Sequence, residues 1–191
     1  MKPTLRFKSY KEWRNTVSFN LQFFGIIDLI NNISENMYVG SRMLEIGSYM
    51  GESTAMFAAS GMFDEVHVLD PHEGYEEFNE LFGWTWEDVK REWKLNTRHN
   101  HEIIHLRNEY SYNVHADFPD GYFDFIYIDG DHSYEGVRQD IELYLPKLRK
   151  GGIIGGHDYS ANEWPGVVKA IHETLGKPDY VFLDQSWIKY L

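Results

Sequence analysis

The sequence predicts an α/β protein: one doubly wound, mostly parallel sheet with helices on both faces and an antiparallel last strand. Three observations carry this. From about residue 42 onward, short apolar runs alternate with helical patterns, the order that βαβ units produce. Polar and ionisable residues gather just past the ends of those runs. The last two runs are joined by too short a connection for a crossover, which forces a hairpin.

The strands are expected at Met43–Ile46, Val66–Leu69, Ile103–Leu106, Phe123–Ile128, Ile153–Gly155, Tyr180–Leu183 and Trp187–Tyr190. Between them Ser53 is positioned to cap a helix reaching about Ser60, with Gly61 beyond its end. Ser133 caps the next, whose apolar stripe is Val137, Ile141, Leu145 and Leu148, with Arg149 and Lys150 in its last turn. A helix over about Gly166–Leu175 carries Val167, Val168 and Ile171. Two segments flank this pattern: residues 1–40, with an apolar helix near Phe19–Ile33, and residues 72–100, rich in aromatics. In the latter, Thr85 and Asp88 resemble a capping box, and Trp86, Val89 and Trp93 share one helical face. This segment is expected to be a cap over the substrate; the N-terminal helix covers the cofactor or forms a homodimer contact.

Composition sets bounds. The 191 residues suit a single domain, 1–191, large enough to bury a core without staples. There is no cysteine, so disulfides, thiolate catalysis and Cys-ligated metals are excluded. The net charge of −12 argues against nucleic-acid and anionic-membrane partners. No apolar stretch approaches the roughly 20 residues of a membrane span, and no signal-peptide core is visible, so the expected location is the cytoplasm.

The residues just past each strand carry the chemistry. Glu45-Ile46-Gly47 leads into Ser48-Tyr49-Met50-Gly51-Glu52-Ser53. The second strand ends at Asp70, the fourth at Asp129-Gly130-Asp131-His132, the fifth at His157-Asp158. In a parallel sheet these ends share one edge, where ligands bind. A strand, a glycine-containing loop and a helix N-terminus make a site for a polar ligand group. The spacing is Gly-x-x-x-Gly rather than G-x-G-x-x-G, which weakens a nicotinamide-dinucleotide reading. Asp70, at the end of the second strand and roughly 20 residues past the loop, is placed to bind a ribose diol. Together these point to a nucleoside-containing cofactor. Asp129, Asp131, His132, His157 and Asp158 crowd several carboxylates and imidazoles, which calls for a cation; the mixed set suits Mg²⁺, Mn²⁺ or another divalent ion. Asp131 serves equally as a helix cap, and His157 as a hydrogen-bonded buried histidine. His99, His101, His105, His115 and His172 read as surface residues.

These residues resemble the class I S-adenosylmethionine-dependent methyltransferases, from residue 42 to 190. Met43-Leu44-Glu45-Ile46-Gly47-Ser48 and Gly51-Glu52-Ser53-Thr54 look like the family's cofactor loop. The run from Phe123 through Tyr127-Ile128-Asp129-Gly130-Asp131-His132-Ser133-Tyr134, with Leu145-Pro146-Lys147-Leu148, Gly151-Gly152-Ile153-Ile154 and Gly156-His157-Asp158-Tyr159, looks like one subgroup. That subgroup contains small-molecule O-methyltransferases, some of them sugar-modifying, and proteins grouped near cephalosporin hydroxylase. The resemblance implies a Rossmann-like sheet of seven strands whose last is antiparallel. It implies that Glu45, Gly47 and Gly51 shape the methionine pocket, with Ser48, Ser53 and Asp129 also on the cofactor. Asp70 would hold the ribose, and Asn108 to Ser111 would lie near the adenine. It places a metal on Asp129, His157 and Asp158, although His157 departs from the family's oxygen ligands. Tyr49 stands where many members have glycine.

The implied reaction is methyl transfer from S-adenosylmethionine to a small hydroxylated acceptor such as a sugar. An alcohol needs a base or a metal, so His132, His157 and Asp129 are the catalytic candidates. Three alternatives stand beside it: a non-catalytic nucleoside-binding module, a nicotinamide-dependent oxidoreductase, and an iron hydroxylase on His132, His157 and Asp129. The last leaves the glycine loop and Asp70 without a purpose.

Overall fold

The computed structural model describes residues 23–38, 40–74, 76 and 84–191. It contains α1 (Phe23–Ser34), β1 (Ser41–Ile46), α2 (Glu52–Ala59), β2 (Phe63–Leu69), α3 (Trp86–Thr97), β3 (Ile104–Arg107), α4 (Ser111–Val114), β4 (Phe123–Ile128), α5 (Tyr134–Tyr144), β5 (Leu148–Gly156), α6 (Pro165–Thr174), β6 (Tyr180–Val181) and β7 (Trp187–Tyr190). The seven strands form one sheet in the order β3-β2-β1-β4-β5-β7-β6. The pairs from β3 through β5 are parallel, and β7 runs antiparallel to both β5 and β6. The sheet is thus the expected one. The order reverses between β1 and β4, which puts a crevice at their C-terminal ends.

Period-two alternation splits the core into two layers. Met43, Val66, Val68, Phe125 and Tyr127 face the layer of α1 and α2, and Leu44, Ile46, Ile126, Ile128 and Ile154 face that of α5 and α6. In α1 the buried stripe is Ile26, Leu29, Ile30 and Ile33, an i, i+3, i+4, i+7 pattern. Residues 19–22, the expected first turn of this helix, lie outside the described residues, as do residues 77–83 of the aromatic segment. Among the described residues, no helix is long and apolar enough to cross a membrane.

Three local expectations change. Leu145 to Lys150 do not continue α5. A short 3-10 turn over Leu145–Lys147 intervenes, and Leu148, Arg149 and Lys150 already belong to β5. Pro146 has no N–H to give and crowds the preceding turn, so the helix stops at Tyr144. Arg149 instead pairs with Asp124 of β4. Ser53 does not cap α2: Gly51 does, with φ 75° and no side-chain cap. The Ser53 hydroxyl donates instead to Glu45 at 2.5 Å. Finally β6 is only Tyr180–Val181, because Phe182 N–H bonds Ser186 and closes the turn early. The other caps form as expected. Ser133 Oγ accepts from Gly136 N–H, and Thr85 with Asp88 makes a full capping box.

Candidate functional site

Each candidate residue begins where a strand ends, and the neighbouring strand holds its backbone. Gly47 N–H donates to Leu69 at 2.9 Å, Asp129 N–H to Ile46 at 2.7 Å, His157 N–H to Ile128 at 3.1 Å and Asp70 N–H to Arg107 at 3.2 Å. The ladder therefore sets the depth of all four at one edge. At this edge opens a cleft of about 110 Å³, lined by Ile26, Gly47, Ser48, Tyr49, Met50, Glu52, Ser53, Asp129 and His157.

The glycine loop is held shut by a latch. Asp70 Oδ2 accepts from Ser48 N–H and Tyr49 N–H, both at 2.7 Å, and from Ser48 Oγ at 3.2 Å. Asp70 Oδ1 accepts from His72 N–H at 2.7 Å. The buried His72 ring then donates from Nε2 to the Tyr49 carbonyl at 3.0 Å. Its other nitrogen faces Asn108 Nδ2 at 2.7 Å, and that amide also donates to Asp70 O at 3.0 Å. Asn108 must present its NH₂ to both, so His72 Nδ1 accepts and Nε2 carries the proton. The latch explains Tyr49. Its φ of 46° lies in the left-handed region where glycine is usual, and both its N–H and its C=O are clamped. From the other side, α3 supports the loop: Trp93 Nε1 donates to Ser48 Oγ at 3.0 Å and Asn96 Nδ2 to Met50 O at 3.0 Å.

Asp70 therefore lies at the expected strand end, but it is buried, its carboxylate is bonded to the loop and to His72, and it is not among the residues that line the cleft. Asn108 and Ser111 reach the same edge. Asn108 serves the latch, and Ser111 Oγ donates to the buried Asp140 at 2.5 Å. His72 is not among the candidates that the sequence offers. Its only signal is a histidine two residues past a strand-end aspartate.

Glu45 lies under the loop with no exposed surface and receives hydroxyl hydrogen bonds from Ser53 and Thr54. Burial pushes its carboxyl up to about 8, with the two hydroxyls pulling the other way. The folded state thus keeps a proton that the unfolded chain loses near pH 4.5. Its contribution is complete below that pH and is lost as the pH climbs towards about 8. Glu45→Gln is expected to flatten this part of the stability curve, by a few kcal/mol across the window, in urea unfolding at successive pH values. An unchanged slope would show that Glu45 ionises freely in the fold.

The ionisable cluster differs in membership from the expected one. Asp131 turns away: its carboxylate accepts from Ser133 N–H at 2.8 Å and Ser133 Oγ at 3.0 Å, so it shapes the entry to α5. Asp129, His132 and Asp158 converge instead, with ligand atoms within 4.8 Å of one another. His132 Nε2 lies 3.4 Å from Asp129 Oδ1 and 3.0 Å from Asp158 Oδ2. This nitrogen is buried, and neither contact is aligned as a hydrogen bond. Asp158 is held at φ 61°, a strained conformation for a non-glycine residue.

His157, expected as a metal ligand, lies beside that trio and faces the same two carboxylates. Its Nδ1 lies 3.2 Å from Asp158 and 3.9 Å from Asp129, and its Nε2 lies 3.7 Å from Asp184. Asp184, from the turn between β6 and β7, carries no signal in the sequence. It reaches the cluster because Gly25 of α1 has no side chain: a Cβ there would sit 1.8 Å from Asp184 Oδ1. Burial lowers His157, but the three carboxylates outweigh it and raise it to about 9. His132 is likewise raised, since Asp129 and Asp158 outweigh its burial. An imidazole held in its charged form is a poor base, so the arrangement favours charge balance over proton abstraction at His157.

Comparison with known proteins agrees with the fold. The methyltransferase-domain family Methyltransf_24 matches residues 44–159, from the glycine loop through Asp158. Uncharacterized protein R132 of Acanthamoeba polyphaga mimivirus is 27% identical over 166 residues, covering 83% of this chain and 68% of that protein. An uncharacterized Sinorhizobium fredii protein, y4gI, is 26% identical over 130 residues, or 64% of this chain, which spans only 13% of its length. Among solved structures, CalS11, a TDP-rhamnose 3'-O-methyltransferase of calicheamicin biosynthesis, superposes with a TM-score of 0.56 at 17% identity, over 95% of this chain and 86% of that one. An O-methyltransferase from Bacillus cereus in complex with SAH gives 0.52 at 18% identity, over 96% and 81%. The fold is that of the class I methyltransferases, and the chain belongs to the Methyltransf_24 methyltransferase-domain family.

Proposed function

We propose that this protein transfers a methyl group from S-adenosylmethionine to a hydroxyl of a small molecule, a sugar being the first class to test. The observation that carries this is one cleft lined both by residues of the Gly47–Ser53 loop and by Asp129 and His157. A nucleoside cofactor latched by the loop would thereby face an acidic cluster across a short gap. S-adenosylmethionine, when bound, supplies an electrophilic methyl group on a sulfonium. The loop positions it for in-line attack, and the acidic wall favours its positive charge. The acceptor proton leaves to the cluster around Asp129. Trp164, exposed, lies 4.8 Å from the His132 ring and offers an apolar face for a ring-shaped acceptor. The likeness to a rhamnose O-methyltransferase supports the sugar class.

The cluster fits a divalent cation. Two carboxylates and a buried imidazole nitrogen without an aligned hydrogen bond make a mixed O/N donor set. Asp129, His132 and Asp158 would hold it, and it would act there as a Lewis acid on the acceptor hydroxyl. The test is S-adenosylhomocysteine formation with a panel of sugars and phenols, before and after chelation. Turnover is expected with at least one acceptor, falling about tenfold or more on chelation and returning with Mg²⁺ or Mn²⁺. Turnover indifferent to chelation would remove the metal. Absence of S-adenosylhomocysteine binding would remove the methyltransferase reading itself.

A further inference from the structure

Away from the cleft, β2 and β3 bring a second set of metal-ligating side chains together. Glu65 and His67 are two residues apart on β2 and so project from the same face. His105 is the register partner of His67 on the neighbouring parallel strand β3. Ligand atoms of the three lie within 4.8 Å of one another. His67 Nε2 is 3.0 Å from Glu65 Oε2, close to the roughly 3.3 Å between two donors held about 2.0 Å from one tetrahedral ion. β3 is the edge of the sheet and His105 is exposed, so the cluster is open to solvent. None of the three residues lines the cleft.

The surroundings suit an ion. The His67 side chain is only 13% exposed and stands among the rings of Phe118, Tyr122 and Phe123, at 5.6, 5.7 and 5.5 Å between centroids. Burial lowers its pKa, and His105 and Arg107 add to this against the pull of Glu65, so the ring is neutral at pH 7, the form that ligates a metal. Tyr122 Oη donates to Glu65 Oε2 at 2.9 Å and Arg42 Nε to Glu65 Oε1 at 3.4 Å, which fixes the carboxylate as outer partners do around metal sites. Arg107 is spent on Asp117 at 2.7 Å. Among the described residues, no hydrogen bond holds the His105 ring, which lies 5.0 Å from that of His67.

We propose that Glu65, His67 and His105 form a site for a transition-metal ion, zinc being the first to test, which ties the edge strand β3 to β2. Two imidazoles and one carboxylate are a donor set for Zn²⁺, Co²⁺ or Ni²⁺, whereas Mg²⁺ and Ca²⁺ take oxygen ligands. Three protein ligands leave a fourth position for water on the exposed side. β3 is only four residues long, so an ion bridging it to β2 adds a fastening that its few ladder bonds lack. The site is independent of the methyl-transfer reading.

The experiment is a calorimetric titration of zinc chloride into untagged, chelator-treated protein, run on wild type, His132→Ala and His105→Ala. Wild type is expected to bind zinc at micromolar concentration or below. His132→Ala disables the cluster at Asp129 and is expected to keep this site. His105→Ala is expected to weaken it by about tenfold or more, since losing a ligand costs at least as much as losing an outer partner. Should His105→Ala melt below wild type, Glu65→Gln, which keeps an acceptor for Tyr122, is titrated in its place with the same loss expected. Zinc isotherms of His105→Ala, or of Glu65→Gln in its place, that superimpose on wild type would overturn the site. So would a wild type that binds no zinc, or zinc binding that vanishes altogether in His132→Ala.

Discussion

Gly47→Ala is expected to lower the melting temperature by roughly 10 °C and to abolish S-adenosylhomocysteine binding. Two independent effects combine. Gly47 has φ 82°, which a Cβ disfavours by about 1–2 kcal/mol. That Cβ would also lie 2.0 Å from Asp129 O and 2.7 Å from Gly130 Cα. Both obstacles are backbone, locked by the Asp129 N–H bond to Ile46, so no rotamer change relieves them. A clash of this kind belongs to the small class of substitutions costing about 4 kcal/mol or more. For a domain of this size that is roughly 8–16 °C. Differential scanning calorimetry with a parallel binding titration checks it. A melting temperature within a few degrees of wild type, with binding intact, would show that β1 and β4 part easily at this edge.

Asp70→Ala is expected to be nearly as damaging, for a different reason. Its carboxylate satisfies the N–H groups of Ser48, Tyr49 and His72 at 2.7 Å each. Removing it strands these donors at a cost of about 1–3 kcal/mol apiece where they stay buried. It also frees Tyr49 to leave its strained φ of 46°, so the loop relaxes away from the geometry that lines the cleft. The expected result is a loss of about 3 kcal/mol in urea unfolding and a cofactor affinity weakened about a hundredfold or more. Asp70→Asn keeps one acceptor oxygen and is expected to fall between. The pair separates two roles of the residue. If Asp70→Ala unfolds at the wild-type urea concentration yet loses affinity, Asp70 acts only on the ligand. If both remain as in wild type, neither the latch nor a ribose contact is real.

The fold is legible in the sequence because its signals are local and periodic. Val66–Leu69 and Phe123–Ile128 are short apolar runs bounded by polar residues, and no other element suits them. The strand ends are legible for the same reason, and with them Gly47, Asp70, Asp129 and Asp158. Legibility fails where two local signals compete or where partners are distant in sequence. Ser53 reads as a helix cap by its neighbours, but a buried carboxyl eight residues earlier claims its hydroxyl. Leu148 continues the α5 stripe, yet Pro146 hands it to β5.

The sequence by itself thus determined the mostly parallel sheet with its antiparallel last strand and the edge where chemistry gathers, because apolar period and turn residues act over a few positions. Which ionisable groups meet at that edge was decided only by the tertiary structure. His132 and His157 both face Asp129 and Asp158; Asp131 is spent on a turn; Asp184 arrives from a hairpin through the gap left by Gly25; and His72 locks the loop. Hydrogen bonds and charge pairs depend on ångström distances between side chains from separate strands and helices, and no spacing along the chain encodes those distances.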